Sequence, residues 1–397
     1  MSPNLQLDRS QLDAVEHACN RKFGIITGGA GTGKTTIIKE IATRTPNSEL
    51  CAFAGKAAAR LREATGFPSA TIHRMLQSNG DIFMRTSLQG RSIIVDEASM
   101  VSADLMAEII KRQPDRLILV GDPSQLPPVG KGQPFHDILK LYPGIVKTLS
   151  TCYRNQEAVY HAASEIRTGT VPGHSYKSER EQWNIIDSGK PEHTQRLILD
   201  WVSQGYIDFE QDIILCPKNG DSDDQPCTVR SLNKEIREIV NDANSDDRIR
   251  IGDRVINTKN FSEFDVWNGT TGTVQAIDDE NQIWVNLDIP AIKEYDESNQ
   301  PIYTDSVLFD REMKSHLQLA YALTVHKSQG SQYRRVIFVA LERDSFSLLD
   351  RSLIYTAVTR AKEHCIVVGQ LKALRDGIKT VRNKTTVFQE LASMVTQ

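Results

Sequence analysis

The 397-residue sequence predicts an α/β protein built as two parallel-sheet domains, with a small β-barrel inserted in the second. Three observations predict it. Short apolar runs alternate with helix-period segments through the first third of the chain, a second series of such runs follows residue 210, and a block of short β segments interrupts that second series. Apolar strands that alternate with helices form a parallel sheet covered on both faces, and such sheets gather ligands at the carboxyl ends of their strands.

The first series is "FGIIT" (23–27), "ELCAFA" (49–54), "RSIIVD" (91–96) and "RLILVG" (116–121). The second is "DIILCP" (212–217), "LAYALTV" (319–325), "RVIFVAL" (335–341) and "CIVVGQ" (365–370). Between its first two members, residues 248–311 read as barrel strands around the turn "WNGTTG", with "RIGDRVINT", "TVQAID" and "IWVNLD". The expected domains are therefore 1–140, with a short insertion at about 76–91; 141–247 together with 312–397; and the inserted barrel at 248–311.

Composition narrows the class. With 39% hydrophobic and 25% charged residues the chain reads as globular, and its net charge of −4 excludes binding nucleic acid through a bulk basic excess. Any such binding needs a local groove. The six cysteines lack C-x-x-C or zinc-finger spacing and read as reduced thiols. Neither a secretory signal nor an apolar run of membrane-spanning length is present, so the expectation is a cytoplasmic protein without membrane contact.

Gly28 through Thr35 match G-x-x-x-x-G-K-[ST] between a strand and a helix. In that context glycines turn backbone N–H groups onto phosphate oxygens, Lys34 reaches the outer phosphates and the Thr35 hydroxyl can ligate magnesium. The cradle comprises Gly29, Ala30, Gly31, Thr32, Gly33, Lys34, Thr35 and Thr36. At the end of "SIIVDEAS", Asp96 is the magnesium-side carboxylate and Glu97 the candidate base for an attacking water. Read alone, an Asp-Glu pair after a strand is a capped helix start. The upstream phosphate loop shifts the balance. Gln125, in the Pro-bounded loop of "LILVGDPSQLPPVG", is placed to sense a terminal phosphate, although the loop read alone is an ordinary turn.

Taken together, these segments resemble superfamily 1 helicases, in the RecD/Dda-like branch, across nearly the whole chain. "QLDAVEHA" resembles the Q motif, with Gln11 as adenine reader; "GGAGTGKTT", "AGKAAARL", "TIHRML", "VDEASM" and "GDPSQLPPVG" are similar to motifs I, Ia, Ib, II and III. "LSTCYRN", "YALTVHKSQGSQY" and "LIYTAVTRAKEH" are similar to motifs IV, V and VI. The resemblance implies two RecA-like domains, an SH3-like form for the barrel, ATP and Mg2+ as cofactors, and 5′ to 3′ movement on single-stranded DNA. It also implies unwinding at single-strand/duplex junctions, in company with replication or recombination proteins. Arg154 and Arg360 become arginine fingers, and Gly330 approaches the nucleotide. Thr324, His326, Lys56, Thr71 and His73 become strand-backbone contacts, which fix position without reading sequence. Read alone, His73 and His326 are structural histidines. Phe53 and Trp267 are candidate base platforms, with Phe83 a third; each read alone is core or loop packing.

The pattern also departs from the family. Phe53 and Ala54 stand where motif Ia often has Pro and Thr, and the strand-splitting pin shrinks to a hairpin about "SNGD". Two other functions remain open from sequence: an RNA helicase, since phosphate contacts do not select the sugar, and a nucleotide-dependent single-strand-binding subunit that unwinds nothing.

Overall fold

The computed structural model describes residues 7–79, 82–151, 158–179, 182–241, 248–297, 301–345 and 347–382. Contacts divide them into two units: 7–53 and 57–151 with Arg382, and 54–56 with 158–381.

The first unit is built on β1 (Phe23–Gly28), β2 (Ser48–Ala52), β3 (Ser69–Thr71), β6 (Ser92–Asp96), β7 (Arg116–Gly121) and β8 (Val146–Leu149); β4 (Ser78–Asn79) and β5 (Ile82–Phe83) form a separate hairpin. The six make a wholly parallel sheet in the order β3-β2-β6-β7-β1-β8. Continuous apolar runs make such strands because both faces are covered. Ile25, Val95 and Leu119 enter the core on one face, and Ile26, Ile94, Ile118 and Val120 the core on the other. The second face is closed by α1 (Arg9–Asn20) and α2 (Lys34–Arg44), which bury Ala14, Val15, Ile37, Ile38 and Ile41. On the first face α5 (Ala103–Lys111) and α6 (Pro134–Leu141) contribute Leu105, Ile109 and Phe135; α3 (Gly55–Thr65) and α4 (Ile72–Met75) follow β2 and β3.

β8 corrects the expected domain edge. It pairs in parallel with β1 from Val146 to Leu149, so the first sheet runs past residue 140. The contact division closes the second unit at Val381. A strand of four residues, only one of them fully buried, gave β8 no apolar run to be read from.

The second unit holds another six strands, β9 (Ser175–Lys177), β10 (Gln182–Asp187), β11 (Asp212–Cys216), β17 (Ala322–Thr324), β18 (Tyr333–Ala340) and β19 (Ala361–Gly369). Their sheet runs in the order β17-β11-β18-β19-β10-β9, parallel except where β9 meets β10. Between β11 and β17 the chain makes a five-stranded antiparallel sheet from β12 (Arg254–Asn257), β13 (Thr271–Ile277), β14 (Ile283–Tyr295), β15 (Pro301–Phe309) and β16 (Leu317–Leu319). Its edges are β15 and β16, and it encloses its own core of Val255, Val274, Ile283, Val285 and Phe309. The insertion therefore extends to Leu319, beyond the expected end at 311. No helix among the described residues is long and apolar enough to cross a membrane.

The run "LAYALTV", expected as one strand, is two. Leu317–Leu319 pairs with β12 in the inserted sheet and Ala322–Thr324 with β11 in the main sheet. Asn233 holds the changeover, its amide donating to Leu319 O (3.2 Å) and Ala322 O (3.0 Å) while its Oδ1 accepts from Ala322 N (2.8 Å). Nearby, Tyr321 donates its hydroxyl to the fully buried Asp253 (3.0 Å). An Asn233→Ala variant leaves the buried Ala322 amide and carbonyl without these partners. It should lose about 2–4 kcal/mol of stability, measured by denaturant unfolding.

Candidate nucleotide and nucleic-acid site

Because the first sheet is parallel, every strand delivers its following loop to one edge. The glycine-rich loop follows β1, the Asp96–Glu97 pair ends β6, and Gln125 follows β7, which lies between the other two. Gly31 and Gly33 take left-handed φ values of 78° and 81°, a conformation that a side chain disfavours. Gly33 is also the N-cap of α2, so the loop feeds directly into a helix N-terminus. Thr35 and Thr36 occupy the helix's first turn.

Lys34 folds back on the loop. Its Nζ donates to the carbonyls of Gly28 (2.8 Å) and Gly29 (2.9 Å), and Thr32 Oγ1 also donates to Gly29 O (2.9 Å). Gln11 supports the loop from α1: its Nε2 donates to Thr32 O at 3.3 Å, and its Oε1 accepts from Asp8 N at 3.2 Å in a capping box. The adenine-reader role expected for Gln11 meets a buried amide with both ends engaged. In this structure its work is to tie α1 to the loop.

Asp96 is half-buried at the strand end, and its carboxyl is pushed up to about 7, first by desolvation and next by the charge of Glu97, against the opposing pull of the Glu97 N–H, Lys34 and Arg60. Glu97 stands in left-handed backbone (φ 50°, ψ 41°) as it enters the 3-10 turn Ala98–Met100. Its Oε2 is buried with no hydrogen-bond partner among the described residues. Left-handed backbone at a non-glycine residue and a buried unpartnered oxygen are each unfavourable on their own. Gln125, also buried, sits in a turn in which its N–H donates to Asp122 O (3.2 Å) and Ser124 N–H to Asp122 Oδ1 (3.0 Å).

Beside this edge lies a row of rings. Phe53 follows β2, His73 lies in α4 and Phe83 in β5; the His73 ring is 6.2 Å from Phe53 and 6.0 Å from Phe83. Desolvation holds the His73 ring below its ordinary pKa, which keeps it neutral and able to stack. Thr71, by contrast, is buried, and its hydroxyl caps α4 by accepting from Arg74 N (3.1 Å). The hairpin carrying Phe83 is clamped at its base by two arginines. Arg112 donates to Arg85 O, to Glu108 O (2.6 Å) and to Phe83 O (3.3 Å), while Arg85 forks onto Glu49 at 2.7 and 2.8 Å. Sequence reading missed both clamps, since lone arginines carry no pattern.

In the second unit, Arg360 is buried, its guanidinium donating to Thr356 O (3.2 Å) and Ser331 O (3.3 Å). Gly330, buried at φ 76°, turns the chain between Thr324 and Arg360's partner Ser331. Thr324 Oγ1 accepts from Lys327 N (3.3 Å), and His326 is exposed. Two sequence expectations need correction. Trp267 is buried instead of standing clear of the turn: its indole N–H donates to Asp265 (3.0 Å) and its carbonyl accepts from Asn257 (2.9 Å). Lys56 is likewise buried, giving its ammonium to Thr271 Oγ1 (2.8 Å), so neither presents a free face for a strand. Arg154 lies outside the described residues.

Comparison with known proteins agrees with this geometry. Residues 6–186 match the AAA domain family and residues 319–368 the UvrD-like helicase C-terminal domain family. The chain is 30% identical to the ATP-dependent RecD2 DNA helicase of Deinococcus radiodurans, over 92% of this chain and 50% of that one. It is 29% identical to the RecBCD enzyme subunit RecD of Mycolicibacterium smegmatis, over 93% of this chain and 72% of that one. It thus spans about half the length of the first relative. Among solved structures, the fold is similar to the Pif1 helicase from Bacteroides in complex with ADP-AlF3 and ssDNA (TM-score 0.57, 19% identity, 99% of this chain and 98% of that one). The Pif1 helicase from Candida albicans is also similar (TM-score 0.53, 18% identity, 99% of each chain). Two RecA-like parallel sheets, a phosphate loop with an acidic pair on a nearby strand end, and a segment of the UvrD-like helicase C-terminal type in the second unit agree with one likeness: the chain is similar to the RecD helicases.

Proposed function

We propose that the protein is an ATP-dependent DNA helicase that moves 5′ to 3′ along single-stranded DNA and opens duplex at a junction. One observation carries the reading: the phosphate loop, the Asp96–Glu97 pair and the Gln125 turn stand on adjacent strand ends of one sheet. Lys34 leaves the Gly28 and Gly29 carbonyls to take the outer phosphates, exchanging two neutral acceptors for a charged one. Glu97 orients and deprotonates the attacking water through the oxygen that nothing else holds. Arg360, whose guanidinium is already fixed by two carbonyls, stabilises the charge on the transferring phosphoryl group.

The residues fit Mg2+. A half-buried carboxyl raised by desolvation and by its acidic neighbour is a group that a cation would restore to its charged form, and Thr35 stands in the first turn of the adjacent helix. Bound there, the ion would neutralise phosphate charge. We read the inserted antiparallel sheet as SH3-like, and the chain as an ATPase domain, a second domain and that insert. The Phe53, His73 and Phe83 rings serve as base platforms and the β4–β5 hairpin as the strand-separating element. DNA as the substrate follows the named activity of the Deinococcus relative and the single-stranded DNA in the Bacteroides Pif1 complex.

Duplexes with a 5′ or a 3′ single-stranded tail, tested with and without ATP, check the whole reading. Unwinding confined to the 5′-tailed DNA supports it; none on either tail sinks it. Lys34→Ala should reduce ATP turnover by about 100-fold or more, and Arg360→Ala by about 1,000-fold with nucleotide binding retained, measured by steady-state hydrolysis and equilibrium titration. Asp96→Asn removes a desolvated charge that stands beside Glu97. It should abolish turnover while adding on the order of 1 kcal/mol of stability, seen as a higher melting temperature without nucleotide.

A further inference from the structure

His136 is a partly buried histidine outside every motif described above, and one of its ring nitrogens is spoken for. Nε2 lies 2.7 Å from the carbonyl oxygen of Pro123. A carbonyl only accepts, so Nε2 is the donor of this bond. Nδ1 is buried with no hydrogen-bond partner among the described residues, so the Pro123 carbonyl is the one polar contact that orients the ring there.

We propose that His136 is a positioning residue for ATP hydrolysis: it pins the Pro123 carbonyl and so sets the Gln125 turn in register with the turn that carries Glu97. Pro123 is the second residue of the Asp122–Gln125 turn, two positions from the amide that faces the phosphate in the proposed reaction. His136 sits in α6, and its neighbour Phe135 is fully buried at the end of β7. There the backbone is so close that a Cβ on Gly121 would lie 3.0 Å from the Phe135 ring, 3.1 Å from Ser99 N and 3.3 Å from Ala98 N. Ala98 is the residue after Glu97. One short helix therefore braces both turns, through apolar contact at Glu97's side and through a single directional hydrogen bond at Gln125's. Apolar packing tolerates small slides, whereas a 2.7 Å bond to a carbonyl does not. The bond is thus the part of the brace that fixes Gln125, and an imidazole supplies its donor from a ring with few rotamers to freeze.

The inference rests on the ATPase reading of this edge, and the test separates the two. DNA-stimulated ATP hydrolysis is measured for wild type, His136→Phe, His136→Gln and His136→Glu, with thermal melting alongside. Gln and Glu share a shape, but Gln donates to Pro123 O whereas an ionised Glu only accepts, so the rates are compared at a pH well above the carboxylate range. Loss of one such bond corresponds to about a fivefold fall in kcat. The expected result is that fall for Phe and Glu with the ATP KM within about twofold, and a kcat within about twofold of wild type for Gln. Equal rates for Gln and Glu, or a wild-type kcat for Phe, overturn the role of the bond. A rise in KM that matches the fall in kcat overturns it as well, since that is the mark of a lost binding surface. A wild-type protein without ATPase sinks the functional reading, and this inference with it.

Discussion

The arrangement depends on one constraint, the neighbour relation β6-β7-β1 in a parallel sheet. Adjacent strands stand about 4.8 Å apart, so loops leaving three neighbours at the same edge begin within roughly 10 Å of each other. No other property of the chain brings residue 28, residue 96 and residue 125 together. The order is paid for by apolar residues on both faces of those strands, which is why their sequences read as unbroken hydrophobic runs and not as alternation. Polar chemistry starts where the ladder stops: Asp96 is the last residue of β6, and Gly28 the last of β1.

The edge is also where the fold works against itself. Asp96 sits half-buried beside a second carboxylate, and Glu97 occupies left-handed backbone with an unpartnered oxygen, while Lys34 bonds to loop carbonyls. The first two are locally unfavourable. Strain of this kind persists only where the surroundings over-determine it. Here α6 and its contacts at Gly121, Ala98 and Pro123 supply that surrounding rigidity.

What was legible in the sequence follows the same division. The buried strands of both parallel sheets announce themselves by apolar runs, and the phosphate loop by glycines that the backbone needs in left-handed φ. Short edge strands do not announce themselves: β8 is mostly half exposed, and its place is set by pairing with β1. Nor does a sheet change. "LAYALTV" has one hydrophobic signature, but a side chain 86 residues earlier, Asn233, divides it. Trp267 and Lys56 were misread for a related reason. A turn tryptophan and a motif lysine look available until the partners that cover them, Asp265 and Thr271, are placed in space. Arg112, Arg85 and His136 gave no signal at all, since their significance lies in backbone carbonyls that sequence does not display.

Those carbonyls bear on how so small a hairpin can act. Two strands of two residues each cannot hold a shape alone in water. β4 and β5 are rooted at their base, where Met84 N and Arg85 N donate to Gln77 O (3.0 Å) and Leu76 O (3.2 Å), Arg112 binds the carbonyls of Phe83 and Arg85, and Arg85 in turn grips Glu49 of β2. Phe83 thereby has two neighbours of different kinds, the Arg112 guanidinium 5.6 Å from its ring centroid and His73 at 6.0 Å. The ring that ends the aromatic row is the same ring that roots the hairpin. The exposed Ile82 and Met84 flank that rooted ring, so the charged clamp fixes the place from which both side chains project.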